Sequence, residues 1–222
     1  MIEIQIKVSE KLFIKDPETS TLGKKIVRDG LKLIDKMGFE DFTFKKLAQE
    51  IGSTEASIYR YFENKHKLLI YLMSWYWKWL QYKFEIQTHQ VEDAFERLKT
   101  GIEIFTHTDV ALPTSPGFDK ETLYRVVVNE SPKAYLTKGV DEINREGAYL
   151  SYKHFCMELA KVFREIKPDY PYPTTLLSTC IESAHDQKYF SEHLPSLTEV
   201  AGGSREEIKT FILNLICTVL KA

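Results

Sequence analysis

With 222 residues, 43% of them hydrophobic, the chain is long enough for one large or two modest domains, each with its own core. A formal charge of -2 excludes a global basic field of the kind that coats nucleic acid, although residues 20 to 67 carry a local +3 and the remainder -5. Cys156, Cys180 and Cys217 are far apart and form no C-x-x-C pair, which excludes a cysteine framework and fits buried thiols in a reducing cytoplasm. No segment has the order of a signal peptide or the length of a membrane span, so a cytoplasmic protein without a membrane partner is expected.

Ile2, Ile4, Ile6 and Val8 alternate with polar residues, predicting a short strand or extended arm that ends at Asp16-Pro17-Glu18. Leu22, Ile26, Gly30, Leu33, Ile34 and Met37 recur at helical spacing up to Gly38. Phe44, Leu47, Ala48 and Ile51 form the apolar stripe of a short helix that Gly52 stops, and Ser53 or Thr54 caps a second one bearing Ile58 and Phe62. From Asn64 a helix to about Ile86 carries a stripe of Leu68, Leu72, Trp75, Trp79, Tyr82 and Ile86. At 1.5 Å per residue it spans about 30 Å, enough to join two lobes. A helix from Val91 to Thr106 follows, then a loop at Leu112 to Gly117. Further helices are predicted near Asp119 to Val128, from Ser131-Pro132 through Ile166, from Thr174 to His193, and from Ser204 to the end. No sheet is predicted; the expected fold is all-α, about nine helices in two lobes.

Two short helices across a three-residue turn with glycine make a helix-turn-helix arrangement. With Ile58 and Phe62 turned inward, Ala56, Ser57, Arg60 and Tyr61 are expected to point outward, with Tyr59 on the flank. That face is small at its start, then cationic and aromatic, which suits a DNA major groove; the spacing alone equally fits an αα-hairpin whose polar side faces water.

Gly52, Thr54, Ile58, Tyr59, Tyr61, Phe62, Lys65 and Leu68, preceded by Gly38-Phe39-Glu40-Asp41-Phe42-Thr43, resemble the DNA-binding domain of the TetR family of repressors over roughly residues 22 to 70. The resemblance implies that Thr43 and Lys45 hold phosphate or neighbouring bases. Ser57, Tyr59, Arg60 and Tyr61 would lie on the recognition helix, and Lys65 would hold phosphate. Glu55 departs from the family pattern, as do Ala56 and Ser53. A carboxylate at Glu55 weakens general phosphate affinity, or accepts from cytosine N4, or favours the positive end of its own helix.

The resemblance further implies three segments: an arm over residues 1–19, a DNA-binding domain over 20–66, and a ligand-binding and dimerisation domain over 67–222. It implies a homodimer on a palindromic double-stranded operator, joined through the last two helices, and a small-molecule effector of unknown identity. Trp79, Phe105, Tyr124, Tyr152 and Phe155 are the candidate pocket walls, being aromatic and mid-helix, though core packing accounts for each singly. Glu182-x-x-His185 and Glu63-x-x-His66 have the spacing of di-iron ligands, but the second lies in the DNA-binding part and cannot face the first. With no catalytic motif, the chain is expected to be no enzyme and to need no cofactor or metal. A metal-dependent helical-bundle enzyme and a DNA-binding module without a small ligand remain the alternatives.

Overall fold

A computed structural model describes residues 6–108 and 119–221, and among them no strand occurs. Ten α-helices follow in chain order: α1 Thr21–Asp41, α2 Phe44–Ile51, α3 Glu55–Tyr59, α4 Lys65–Thr88, α5 Ala94–Phe105, α6 Lys120–Tyr135, α7 Val140–Arg145, α8 Leu150–Ile166, α9 Pro173–His193 and α10 Arg205–Lys221. They divide into two compact units, Met1–Lys78 with Thr114–Ser151, and Trp79–Pro113 with Tyr152–Ala222.

In the first unit α1 packs on α2 and on α6. Ser20 caps α1 by accepting from the Gly23 amide, and Ile26, Val27, Leu31 and Ile34 are buried along it. Helical geometry fails at Gly38, with φ 76° and ψ 157°, before one further turn ends at Asp41. Only glycine takes that conformation without a Cβ clash. All four apolar residues predicted for α2 are buried. Gly52 closes it at φ 63°, its amide returned to the carbonyls of Ala48 and Gln49. Ile58 and Phe62 are fully buried, as are Leu68 to Leu72. Each such side chain contributes about 1.5–3 kcal/mol of burial free energy.

The second unit assembles α5, α9, α10, the end of α4 and most of α8 around Leu80, Leu98, Phe105, Phe155, Phe163, Ile181 and Ile212. Cys156 and Cys180 are buried thiols, while Cys217 is half-buried.

Three expectations change. The arm has no strand over its described part: after Ile6 the chain is irregular, with 3-10 turns at Glu10–Leu12 and Pro17–Thr19, and residues 2 to 5 lie outside the described residues. All of the predicted 112–117 loop likewise falls outside them. The long helix predicted from Ser131 to Ile166 is instead the end of α6, α7 and α8. Pro132 sits in the last turn of α6, where its carbonyl accepts from the Leu136 amide. Tertiary contacts fix the breaks: Ile143 is buried, and Tyr149 donates its hydroxyl to the Ala134 carbonyl at 2.7 Å. Finally, Ile86, predicted on the α4 stripe, is 51% exposed.

Candidate nucleic-acid interface

Thr43 starts α2 by accepting from the Lys46 amide, and Thr54 starts α3 by accepting from the Ser57 amide. These caps satisfy donors that a helix start leaves open, which matters most for a helix as short as α3. Lys25 reaches across from α1 and donates to the Ile51 carbonyl at 2.8 Å, satisfying the other end of α2.

On this support the outer face of the motif is presented to solvent. Glu55, Ala56, Tyr59 and Arg60 are exposed on and just after α3, and Thr43 and Lys45 are exposed at the start of α2. Tyr59 is held by an edge contact with Phe44, ring centroids 5.1 Å apart, which leaves its side chain 48% exposed. Ser57 is half-buried and its hydroxyl lies 2.9 Å from that of Thr54.

Two residues of the predicted set are placed differently. Tyr61 does not face outward: it is 4% exposed, and its hydroxyl and that of Ser20 are 2.8 Å apart. That hydrogen bond holds the Tyr61 hydroxyl below its ordinary pKa, with the Lys15 ammonium 5.3 Å from the ring adding to the effect. The arm covers it because Ile14 donates its amide to the Tyr61 carbonyl at 2.8 Å. Lys65 points its ammonium at the end of α1, donating to the carbonyls of Phe39, Glu40 and Phe42 at 2.8, 2.9 and 3.0 Å. Three acceptors use all three of its protons, so a phosphate would have to displace one of them.

Sequence reasoning missed the strut that fixes the approach to this motif. Buried Glu130 of α6 accepts from the Phe39 amide at 2.9 Å, and its other oxygen lies 2.7 Å from the Lys133 ammonium. Arg125 forks onto Asp35 at 3.0 and 2.7 Å, and His66 Nε2 lies 3.0 Å from the Lys133 carbonyl. Some 90 residues separate the partners across α1 and α6, and no local pattern marks such a pairing.

The five candidate pocket residues do not all come together. Trp79, Phe105, Tyr152 and Phe155 belong to the second unit, whereas Tyr124 is buried in the first. Trp79 stacks on Tyr82 with centroids 5.7 Å apart, Phe155 meets the edge of Phe84, and Tyr152 donates its hydroxyl to Glu182. Burial pushes Glu182 above its ordinary value and moves His185 down to about 4. Among the described residues no group of three or more histidine, cysteine or acidic side chains is placed to hold a metal, and Glu63 with His66 lies in a different unit from Glu182 with His185.

Geometry thus defines a helix-turn-helix packed with α6 and α7 in one compact unit, with α5, α9, α10, the end of α4 and most of α8 in a second. Residues 26–72 match the family described as bacterial regulatory proteins, tetR family. The fold is shared with a protein assigned as a transcriptional regulator from Saccharomonospora viridis, crystallised with choline: 17% identity, TM-score 0.64, covering 89% of this chain and 96% of that one. A protein assigned to the TetR family from Syntrophomonas wolfei gives 14% identity and a TM-score of 0.65, with 90% and 94% covered. AibR, in complex with isovaleryl coenzyme A and operator DNA, gives 16% and 0.56, with 86% and 97% covered. No curated protein matches the chain in sequence. Over residues 26–72 the chain therefore carries the DNA-binding domain of the TetR family of regulators.

Proposed function

We propose that this chain is a repressor that binds a palindromic operator as a homodimer and is released by a small molecule. The observation that carries the reading is the outer face of the motif, where Ala56, Tyr59 and Arg60 stand exposed on a turn whose inner side is fully buried at Ile58 and Phe62. A small residue at the start lets the helix backbone approach base edges, and Arg60 has the planar fork that pairs with guanine or phosphate. The proposed DNA-binding segment is 20–66, after an arm over 1–19, with ligand binding and dimerisation assigned to 67–222.

The dimer is assigned to α9 and α10. Tyr189, Leu194, Leu197 and Phe211 are exposed there, and Leu197, Val200 and Phe211 wall a groove of about 620 Å³. A two-fold contact would cover such a face with its own copy. The ligand is assigned to the second unit, which holds Trp79, Phe105, Tyr152 and Phe155. Choline and isovaleryl coenzyme A bound to the structural neighbours support a small-molecule effector here without naming it. A ligand releases DNA only if it binds the two conformations unequally.

The test is a gel shift of purified protein on the DNA upstream of its own gene, at two salt concentrations and against random competitor. Specific, salt-sensitive retardation is expected. Tyr59→Phe should weaken binding across all sequences, whereas Arg60→Ala or Glu55→Gln should change which sequence is preferred. Failure to select any site from random DNA would overturn the reading.

A further inference from the structure

The N-terminal arm passes the end of α3 as an anchored segment. Leu12 is buried, the Ile14 amide donates to the Tyr61 carbonyl at 2.8 Å, and Pro17 is buried with its backbone packed on Gly23 of α1. Between these anchors Lys15 is exposed, its ammonium 5.3 Å from the centre of the Tyr61 ring. Arg60, which ends α3 and precedes Tyr61, is exposed as well. The carboxylates of the arm turn elsewhere: Asp16 accepts from the Glu18 amide at 2.9 Å, and Glu18 accepts from the Tyr71 hydroxyl at 3.4 Å. Among the described residues neither Lys15 nor Arg60 pairs with a carboxylate.

We infer that Lys15 is a phosphate contact of the operator, carried to the end of α3 by the arm. The inference rests on the reading of α3 as the helix that enters the groove, and it moves the start of the DNA-binding surface from residue 20 back into the arm. Two cations beside one side chain repel each other in the free protein, and an anion next to both relieves that repulsion. Tyr61 feels both of them: its hydrogen bond with Ser20 lowers its pKa most, and the charges of Lys15 and Arg60 each lower it further. DNA offers such anions along both rims of the groove that a helix occupies. A base contact fits less well, because base edges meet the first residues of a recognition helix and Lys15 lies by the residues that follow α3. Anchoring matters to the affinity. A lysine on a free tail loses backbone freedom when it binds, whereas the backbone here is already held on both sides.

The experiment selects an operator from random DNA with the unsubstituted protein. Affinities of Lys15→Met, Lys15→Arg and Lys161→Met for that site are then followed by fluorescence anisotropy between about 50 and about 200 mM salt. Lys15→Met removes the charge and keeps an apolar side chain of similar length, so the urea midpoint should hold. Affinity should fall about tenfold at low salt and the salt slope should drop by about one, with the order of preferred sequences unchanged. Lys15→Arg should restore both. Lys161→Met, exposed in the second unit, should change neither. One and the same slope for the unsubstituted protein and Lys15→Met overturns this inference and leaves the operator reading standing. So does an affinity loss that comes with a lowered urea midpoint and an intact slope, or with an altered sequence preference. Failure of the unsubstituted protein to select any site overturns the operator reading and this inference with it.

Discussion

The two units differ in the polar groups they take into their interiors. In the first, charged side chains bind helix ends: Lys65 the carbonyls that close α1, Glu130 the Phe39 amide, Lys25 the end of α2. In the second, the pair of Arg97 with Glu165 lies toward the surface, while Glu182 and His185 sit further inside and shift toward their neutral forms. Short helices such as α2 and α3 cannot hold themselves in water, so their ends need partners from elsewhere. The longer helices of the second unit draw their stability from apolar faces and tolerate an interior polar group once it is neutral.

The sharpest way to break the first arrangement is Phe62→Ala. Phe62 is fully buried beneath α3, so the loss should be about 3–5 kcal/mol in a urea titration, with operator binding lost alongside. A loss under about 1 kcal/mol would mean that the motif is not packed as described. Glu130→Ala should cost about 2 kcal/mol, because a buried amide loses a charged acceptor. Glu130→Gln keeps an acceptor oxygen and should recover most of that loss; no recovery would assign Glu130 to its pairing with Lys133.

Lys65→Met separates two roles for one cation. Stability should fall by about 1 kcal/mol if the ammonium serves the α1 carbonyls. The slope of operator affinity against salt should then stay unchanged, whereas a phosphate contact would reduce it by about one.

In the second unit the expected net effect is the smallest, because two shifts oppose. His185 is held at about 4 against an ordinary 6.5, so the unfolded chain takes up the proton first; its contribution is complete above 6.5 and is lost as pH falls toward 4. Glu182 is raised above 4.5, so its contribution is present below that value and is lost as pH rises through the folded value. Between these limits the two slopes oppose each other in the native protein. Glu182→Gln should make the thermal midpoint rise with pH, and His185→Gln should make it fall. Parallel profiles for all three proteins would remove both groups from the account.

Much of the motif was legible in advance. The spacing of Phe44, Leu47, Ala48 and Ile51, with Gly52 after them, specified α2, its buried face and its end, because those are local matters of periodicity and backbone freedom. The outward placement of Ala56 and Arg60 followed from Ile58 and Phe62 being inside, whereas Tyr59, expected on the flank, is exposed as well. Tyr61 was misplaced because helical phase alone sets it beside Arg60, yet the arm folds back and covers it through Ile14 and Ser20. The stretch from Ser131 to Ile166 looked continuous because its helical periodicity outweighed Gly139 and Gly147 within it.

Sequence by itself determined the all-helical class and the two short helices across a glycine turn, since each depends on residues within a few positions of one another. Only the tertiary structure decided where Lys65 and Tyr61 point, that Tyr124 parts from the other candidate pocket residues, and that α6 grips the end of α1. Those outcomes rest on hydrogen bonds and burial between segments as much as 91 residues apart, and the chain must fold before such groups compete for the same partner.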